Sequence, residues 1–497
     1  MKIALHVGSP VDLRCDLLAI PVFEDQLRVG DMFQALDRGL GGLLGRLLDE
    51  EQFKGKKSQS LSVHTHGKMG PQRILFLGMG PRADFHYSDL RHVAARSVRS
   101  SRGITARAIV LMLGQGLDDE RALQMASEGF FLGRYRFDRY LSAEDARKPD
   151  ALEMATLLLA VDHGQEAFNR IARRAEITAN AVMRARDLVN EPASEVTPTR
   201  MAAEAQKTAD KHGLEVRILG PKECRELGMG MFLAVAQGSD QEPRFIHLTY
   251  KPKGKARKRV CLVGKGVTFD SGGLSLKPSN AMEDMKVDMS GGAAVISAIG
   301  ALAELEVPFE IHAITACTEN MPSGKAYKLG DVIKSMNGKT VEINNTDAEG
   351  RLTLGDAISY AIGLGPDELF DFATLTGACV VALGPHVAGM MTNDQSLADR
   401  WLAAAKLAGE DMWQLPLPER LKDMLKSEIA DMRNTGERYG GALTAGLFLR
   451  EFVGKTPWVH VDIAGPAHTD KEFGAIPKGG TGFGVATIVE YLSNHGQ

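Results

Sequence analysis

From residue 190 onward, short apolar runs alternate with stretches of helical periodicity, and few architectures accommodate that pattern. FIHLTY (245–250), VCLVGKG (260–266), FEIHAITAC (309–317), ELFDFATLTG (368–377) and WVHVDIAG (458–465) read as strands. GGAAVISAIGALAEL (291–305) and LTLGDAISYAIGLG (352–365) read as helices between them. Strands covered on both faces lose the apolar–polar alternation of a half-exposed sheet and become continuous apolar runs. Strands separated by helix-length segments connect in parallel. The expectation is an α/β domain with a mostly parallel central sheet flanked by helices. In such a sheet, ligands bind beyond the carboxyl ends of the strands.

The first third of the chain repeats this character on a smaller scale. Segments 2–7, 17–21, 73–80, 108–114 and 152–161 read as strands, 117–135 as a helix, and 142–151 as a charged, turn-prone stretch. A long helical pattern covers 165–189 and stops at NEPASEVTP, because proline and the residue before it resist helix. A chain of 497 residues exceeds what one hydrophobic core serves. The division expected is an N-terminal α/β domain (1–163), a connecting helix (164–189) and a larger C-terminal α/β domain (190–497).

Bulk composition narrows the function classes. A net charge of -4 gives no overall attraction to nucleic acid or anionic lipid. No run reaches about 18 apolar residues, so no membrane span is expected. His6, Asp12, Arg14 and Asp16 interrupt the N-terminal apolar residues, so no signal-peptide core forms there. The five cysteines (Cys15, Cys224, Cys261, Cys317 and Cys379) contain no CxxC pair, which points to buried thiols in a reducing cytoplasm.

Two segments carry the chemistry. In VGKGVTFDSGGLSLKPSNAMEDMKVDMSGGAAV (263–295) an apolar strand runs into a glycine-rich loop with Lys265, Asp270, Lys277, Asp284, Lys286 and Asp288, followed by an apolar helix. Charges held between two apolar elements must be paired or metal-bound. Gly272, Gly273, Gly291 and Gly292 allow positive φ and close backbone approach to a ligand. In EINNTDAEGRLTLGDA (342–357), Asp347 and Glu349 are two apart and would project to one side of an extended chain. Arg351 follows at the entry to a helix, whose positive end favours anions. Asp270, Asp288, Asp347 and Glu349 together balance the charge of two divalent cations, for which carboxylate oxygens are suited.

GKGVTFDSGGLSLKP, MEDMKVDMSGG, TENMPSGKAYKLGDVI and above all NTDAEGRL resemble the leucyl (cytosol) aminopeptidase family of dinuclear zinc exopeptidases. The resemblance continues through SEIADMRNTG, HVDIAGPA and GGTGFGVATIVEYL, and reaches the first third weakly through GRYRFDRY. It implies that Asp270 and Glu349 are shared by two metals, that Asp288 and the Lys265 amine complete one site, and that Asp347 completes the other. Lys277 and Arg351 would be the catalytic pair. The metals would be Zn²⁺ or Mn²⁺, with Co²⁺ or Mg²⁺ as alternatives, and a water or hydroxide bridging them would be the nucleophile. Arg351 would hold a bicarbonate as general base. Met285, Thr374, Gly377, Ala464 and Ala467 would line an apolar side-chain pocket. The substrates implied are short peptides with a free N-terminus, and the assembly implied is a homohexamer.

The basic run KPKGKARKR (251–259) is expected to be a solvated hairpin loop rather than a nucleic-acid patch. A DNA-binding regulatory or architectural role, alone or beside catalysis, is the competing reading, and another dinuclear hydrolase the third. His64 and His66 read as surface residues, GMG at 78–80 lacks the third glycine of a dinucleotide fingerprint, and no HExxH occurs.

Overall fold

The computed structural model describes residues 1–28, 31–57, 59–114, 116–142, 151–159 and 163–494. The turn-prone stretch expected at 142–151 lies outside them at 143–150, as do the last two residues of the strand expected at 152–161. The chain forms two compact units, Met1–Asn180 with Glu472–Pro477 and Ala181–Lys471 with Lys478–Gln497. The helix Gln165–Asn190 runs across the boundary between them.

The first unit is built on strands β1 (Lys2–Val7), β2 (Cys15–Phe23), β3 (Ser60–His64), β4 (Pro71–Gly80), β5 (Ala108–Met112) and β6 (Met154–Leu159). They form one sheet in the order β1-β6-β5-β2-β4-β3, parallel except for β3. Strand β2 shows why its sequence is almost wholly apolar. Leu17 and Ala19 enter one core cluster and Leu18 and Ile20 another, one on each face of the pleat. Helices Tyr87–Arg102 and Glu120–Gly133 cover the first face.

The second unit carries β7 (Glu215–Leu219), β8 (Arg244–Tyr250), β9 (Arg259–Asp270), β10 (Glu310–Asn320), β11 (Val332–Lys334), β12 (Thr340–Glu342), β13 (Glu368–Ala373), β14 (Ala388–Thr392), β15 (Met412–Gln414), β16 (Met432–Arg433) and β17 (Trp458–Asp462). Eight of them form a sheet in the order β15-β14-β17-β13-β9-β10-β8-β7. Its centre, β17-β13-β9-β10, is parallel, and β14 and β8 run antiparallel on either side. The two domains are therefore both α/β, the larger with a mostly parallel central sheet. Helices Ser290–Glu304 and Val485–Asn494 pack on one face and Gly350–Gly363 and Gly441–Val453 on the other.

Helix Ser290–Glu304 is apolar on all sides and buried over nearly its whole length, as a helix without a polar stripe must be. The longer stretch Ser279–Glu304 is apolar enough to cross a bilayer by composition, yet 89% of its most apolar window is buried inside the protein.

Three local expectations are corrected. The basic run 251–259 is not a hairpin, because β10 lies between β8 and β9, so this connection crosses over a strand. Lys251, Lys253 and Lys258 within it pair with Glu215, Glu306 and Glu368. Gly291 and Gly292 are helical, and they admit strands rather than a ligand. A Cβ at Gly291 would lie 1.9 Å from the Phe372 carbonyl oxygen, and one at Gly292 2.8 Å from Thr315 Oγ1. Finally, β9 continues past Gly266 to Asp270, which is strand and not loop.

Candidate active site

Lys265 and Asp270 both belong to β9, five residues apart. In a regular strand an odd separation sends two side chains to opposite faces. Here Val267 pairs with Thr318 of β10 but Phe269 pairs with Glu319, so Thr268 is an extra residue in a β-bulge. The bulge reverses the alternation and returns Asp270 to the side from which Lys265 projects. Both then meet Glu349. The Lys265 ammonium lies 2.8 Å from Glu349 Oε1, and oxygens of Asp270, Asp347 and Glu349 lie within 4.8 Å of one another.

Beyond Asp270 the loop doubles back sharply, with Lys277 N donating to Ser271 O at 2.9 Å. Gly272 and Gly273 adopt φ of 86° and 62°, which other residues rarely reach, so these two positions need glycine as expected. The turn aims Lys277 Nζ at Asp270 Oδ2 (2.9 Å) and Asp347 Oδ1 (2.5 Å). Asp288 sits in the 3-10 turn Met285–Met289 that feeds the buried helix. Its Oδ1 accepts from Thr374 Oγ1 at 2.8 Å and lies 2.7 Å from Lys265 Nζ. Lys265 also donates to the Thr374 carbonyl at 3.1 Å.

The segment bearing Asp347 and Glu349 departs from the extended geometry expected. Asp347 lies in a turn, and Glu349 has helical backbone angles (φ -75°, ψ -34°) at the start of helix Gly350–Gly363. Arg351 occupies the first turn of that helix and donates through Nη1 to the Asn434 carbonyl at 2.8 Å. Burial lowers its pKa to about 10.

Six of the seven expected residues are thus joined by ion pairs, and Arg351 lies beside them. Four carboxylates face two ammonium groups. Burial raises the pKa of Asp288, Asp347 and Glu349, and neighbouring Asp270 adds to the effect on all three. Burial acts against charge on Lys265 and Lys277 too, but the surrounding carboxylates outweigh it and hold both above the ordinary lysine range. Among the described residues, Asp288 Oδ2 and Glu349 Oε2 are buried without a hydrogen-bond partner, while Glu349 Oε1 has the Lys265 ion pair. Buried carboxylate oxygens left this way are costly unless a cation meets them. The donor set fits divalent metal: hard oxygens crowded together, some of them without a hydrogen-bond donor. Arg351 Nε is likewise buried and unpartnered, as an anion-binding donor would be.

Four of the five expected pocket residues fall into two strand-end segments. Thr374 and Gly377 follow β13, and Ala464 and Ala467 follow β17. Asp462 ties these segments together, accepting from Thr376 Oγ1 (2.7 Å), Leu375 N and Ala464 N (both 3.1 Å). Thr374 alone among them contacts the charged cluster directly by the bonds above. Met285 is half-buried in the turn before Asp288, Ala467 is buried, and Gly377 is exposed with open space where a Cβ would stand.

Sequence reasoning missed several supports. Asn320 and Thr346 hold the loops around the carboxylate cluster, Asn434 anchors Arg351 and the 344–345 backbone, and Asp462 joins the two strand-end segments. The signal for Asn320 and Asp462 was an uncharacteristic polar residue closing an apolar strand. Asn434 falls within SEIADMRNTG, which carries part of the resemblance, but no local signal marked its role.

Residues 183–489 match the family model described as the cytosol aminopeptidase family, catalytic domain, and residues 19–144 match the N-terminal domain of the same family. A relative from Gloeobacter violaceus, described as a probable cytosol aminopeptidase, is 44% identical over 97% of this chain and 98% of its own length. Another with the same description, from Cyanothece, is 43% identical over 99% of both. Among solved structures, a mutant of tomato leucine aminopeptidase is similar with a TM-score of 0.90 and 37% identity, over 99% of this chain and 96% of that one. The bottromycin maturation enzyme in complex with Mn is similar at 0.84 and 36%, over 97% of this chain and 100% of its own.

Proposed function

Since the chain belongs to the cytosol aminopeptidase family, and is therefore a metal-dependent aminopeptidase, we propose that it releases N-terminal leucine and similar apolar residues from short peptides. Two divalent ions would be held by Asp270, Asp288, Asp347 and Glu349, with Asp270 and Glu349 shared, and by Lys265 once its ammonium has lost a proton, since only the neutral amine has a lone pair to give. The convergence of these five side chains, with buried carboxylate oxygens lacking hydrogen-bond partners, carries the reading. Zinc or manganese fills the sites, and the protein works in the cytoplasm as a homohexamer.

When bound, the ions supply Lewis acidity and a nucleophile from water near neutral pH, and bicarbonate at Arg351 supplies a base. The chain's own residues do the rest. Lys277 is the electrophile. Its side chain remains 15% exposed, and Asp270 and Asp347 hold its ammonium in place. From there it donates to the scissile carbonyl oxygen and stabilises the charge that develops on it. Arg351, fixed by Asn434, keeps its Nε free for the anion. Met285, Thr374, Gly377, Ala464 and Ala467 receive the substrate side chain, where the flexible Met285 accommodates leucine or methionine.

The decisive assay is hydrolysis of a chromogenic leucyl amide before and after chelation, then with Zn²⁺, Mn²⁺ or Co²⁺ restored. Turnover should vanish with the chelator and return with metal. Turnover indifferent to chelation would sink the reading.

A substitution outside the ligand set probes the same geometry. A Cβ at Gly350 would lie 2.5 Å from Lys265 Cε and 2.6 Å from Nζ. The three atoms nearest to it all belong to the flexible Lys265 side chain, and alanine favours helix over glycine. Gly350→Ala should therefore keep the melting temperature while displacing Lys265, and a shift of about 1 Å at a catalytic centre costs about a hundredfold in rate. Parallel melting curves and kcat measurements check this. Wild-type kcat in the folded variant would refute it.

A further inference from the structure

We propose that Asn320 is a positioning residue that fixes the Asp270 carboxylate and locks the two metal-facing loops to each other. Asn320 ends β10, directly beside Asp270 at the end of β9, and is completely buried. Its Nδ2 donates to Asp270 Oδ1 at 2.8 Å and to the Thr346 carbonyl at 2.9 Å. One amide group therefore bridges the strand that supplies Asp270 and the loop that supplies Asp347 and Glu349. Its backbone carbonyl accepts from Ser271 N (3.0 Å) and Ser271 Oγ (2.6 Å), which pins the start of the Lys277 loop as well.

The chemistry leaves little freedom in how this residue sits. Both partners of the side-chain nitrogen are acceptors, and an amide NH₂ has two protons to give. A flipped amide would set three acceptor oxygens against one another, so the orientation is fixed. Its Oδ1 packs beneath the loop, where a Cβ at Gly273 would come within 2.8 Å of it. The Gly272 N–H donates to the same Asp270 oxygen at 2.8 Å. Two neutral donors thus hold Oδ1 and leave Oδ2 turned toward Lys277 and the site. A lysine or arginine in this place would compete for the carboxylates, and an acid would add to their repulsion. An amide orients the ligand without altering the charge of the cluster.

This inference rests on Asp270 being a metal ligand, and its test separates the two claims. Wild type, Asn320→Ala and Asn320→Ser are stripped of metal and titrated with Co²⁺, with binding followed by equilibrium dialysis and by the visible absorption of the bound ion. Melting curves of the stripped proteins check folding. If the alanine variant does not fold, the serine variant, which retains one short donor, carries the test alone.

Loss of such an outer partner weakens metal binding by about 10–100-fold. Asn320→Ala should show that loss with a changed absorption band, and Asn320→Ser should fall between it and wild type. With metal saturating, kcat should drop while KM stays near wild type, since the substrate pocket is untouched. Two-ion binding in wild type with an identical titration and spectrum in a folded Asn320 variant overturns the clamp alone. Failure of wild type to bind two ions overturns the metallopeptidase reading and the clamp together.

Discussion

In a Glu349→Ala variant, metal content should fall from two ions per chain to none, and hydrolysis of a leucyl amide should all but disappear. Glu349 is the most enclosed carboxylate of the cluster, and among the described residues its Oε2 has no hydrogen-bond partner. It also holds Lys265 at 2.8 Å from Oε1. On the proposed assignment, removing it takes away a ligand common to both ions, and it leaves Lys265 with its Asp288 ion pair at 2.7 Å. Metal ions contribute several kcal/mol of transition-state stabilisation, so the rate should fall by about a thousandfold or more. Lys265→Ala and Asp288→Ala should each leave one ion bound. Elemental analysis of the purified variants distinguishes the cases. Two ions in Glu349→Ala would remove this residue from the ligand set.

The second large effect separates binding from catalysis. Lys277→Ala should retain two ions and bind substrate with little change in KM, yet lose about 10²–10³ in kcat, the usual cost of removing one oxyanion-stabilising donor. The carboxylates assigned as ligands should keep their places, because Asp270 retains its bonds from Asn320 and Gly272. Asp347 loses its ion pair but is one-third exposed, so water can solvate it. A fall in metal content matching the fall in kcat would show that Lys277 organises the ligands rather than the reaction.

Much of this was legible in the primary structure, for identifiable reasons. Strands such as β8 and β17 are short apolar runs whose burial on both faces leaves no other pattern open to them. The charged residues stood out because 263–295 sets them between apolar neighbours that forbid unpaired charge. What stayed hidden depends on register and on partners distant in sequence. Strand β9 was expected to end four residues early, because charged and glycine residues in its last turn of sequence mimic a loop. The turn conformation at Asp347 is set by Asn434 and by Thr346, which accepts from Ser275 N and donates to Gly272 O. No local propensity encodes those contacts. The supposed hairpin at 251–259 failed similarly, since strand order is settled by the insertion of β10 some fifty residues later.

The unpaired Thr268 has a bearing on protein design. A catalytic site is usually transplanted by copying its side chains onto an idealised scaffold, where every strand is regular. On such a strand Lys265 and Asp270 could never share a face, whatever rotamers were chosen. The irregularity would have to travel with the graft, and trimming it for tidiness would leave one ligand buried against the wrong layer of helices. Here the flaw in the sheet belongs to the recipe.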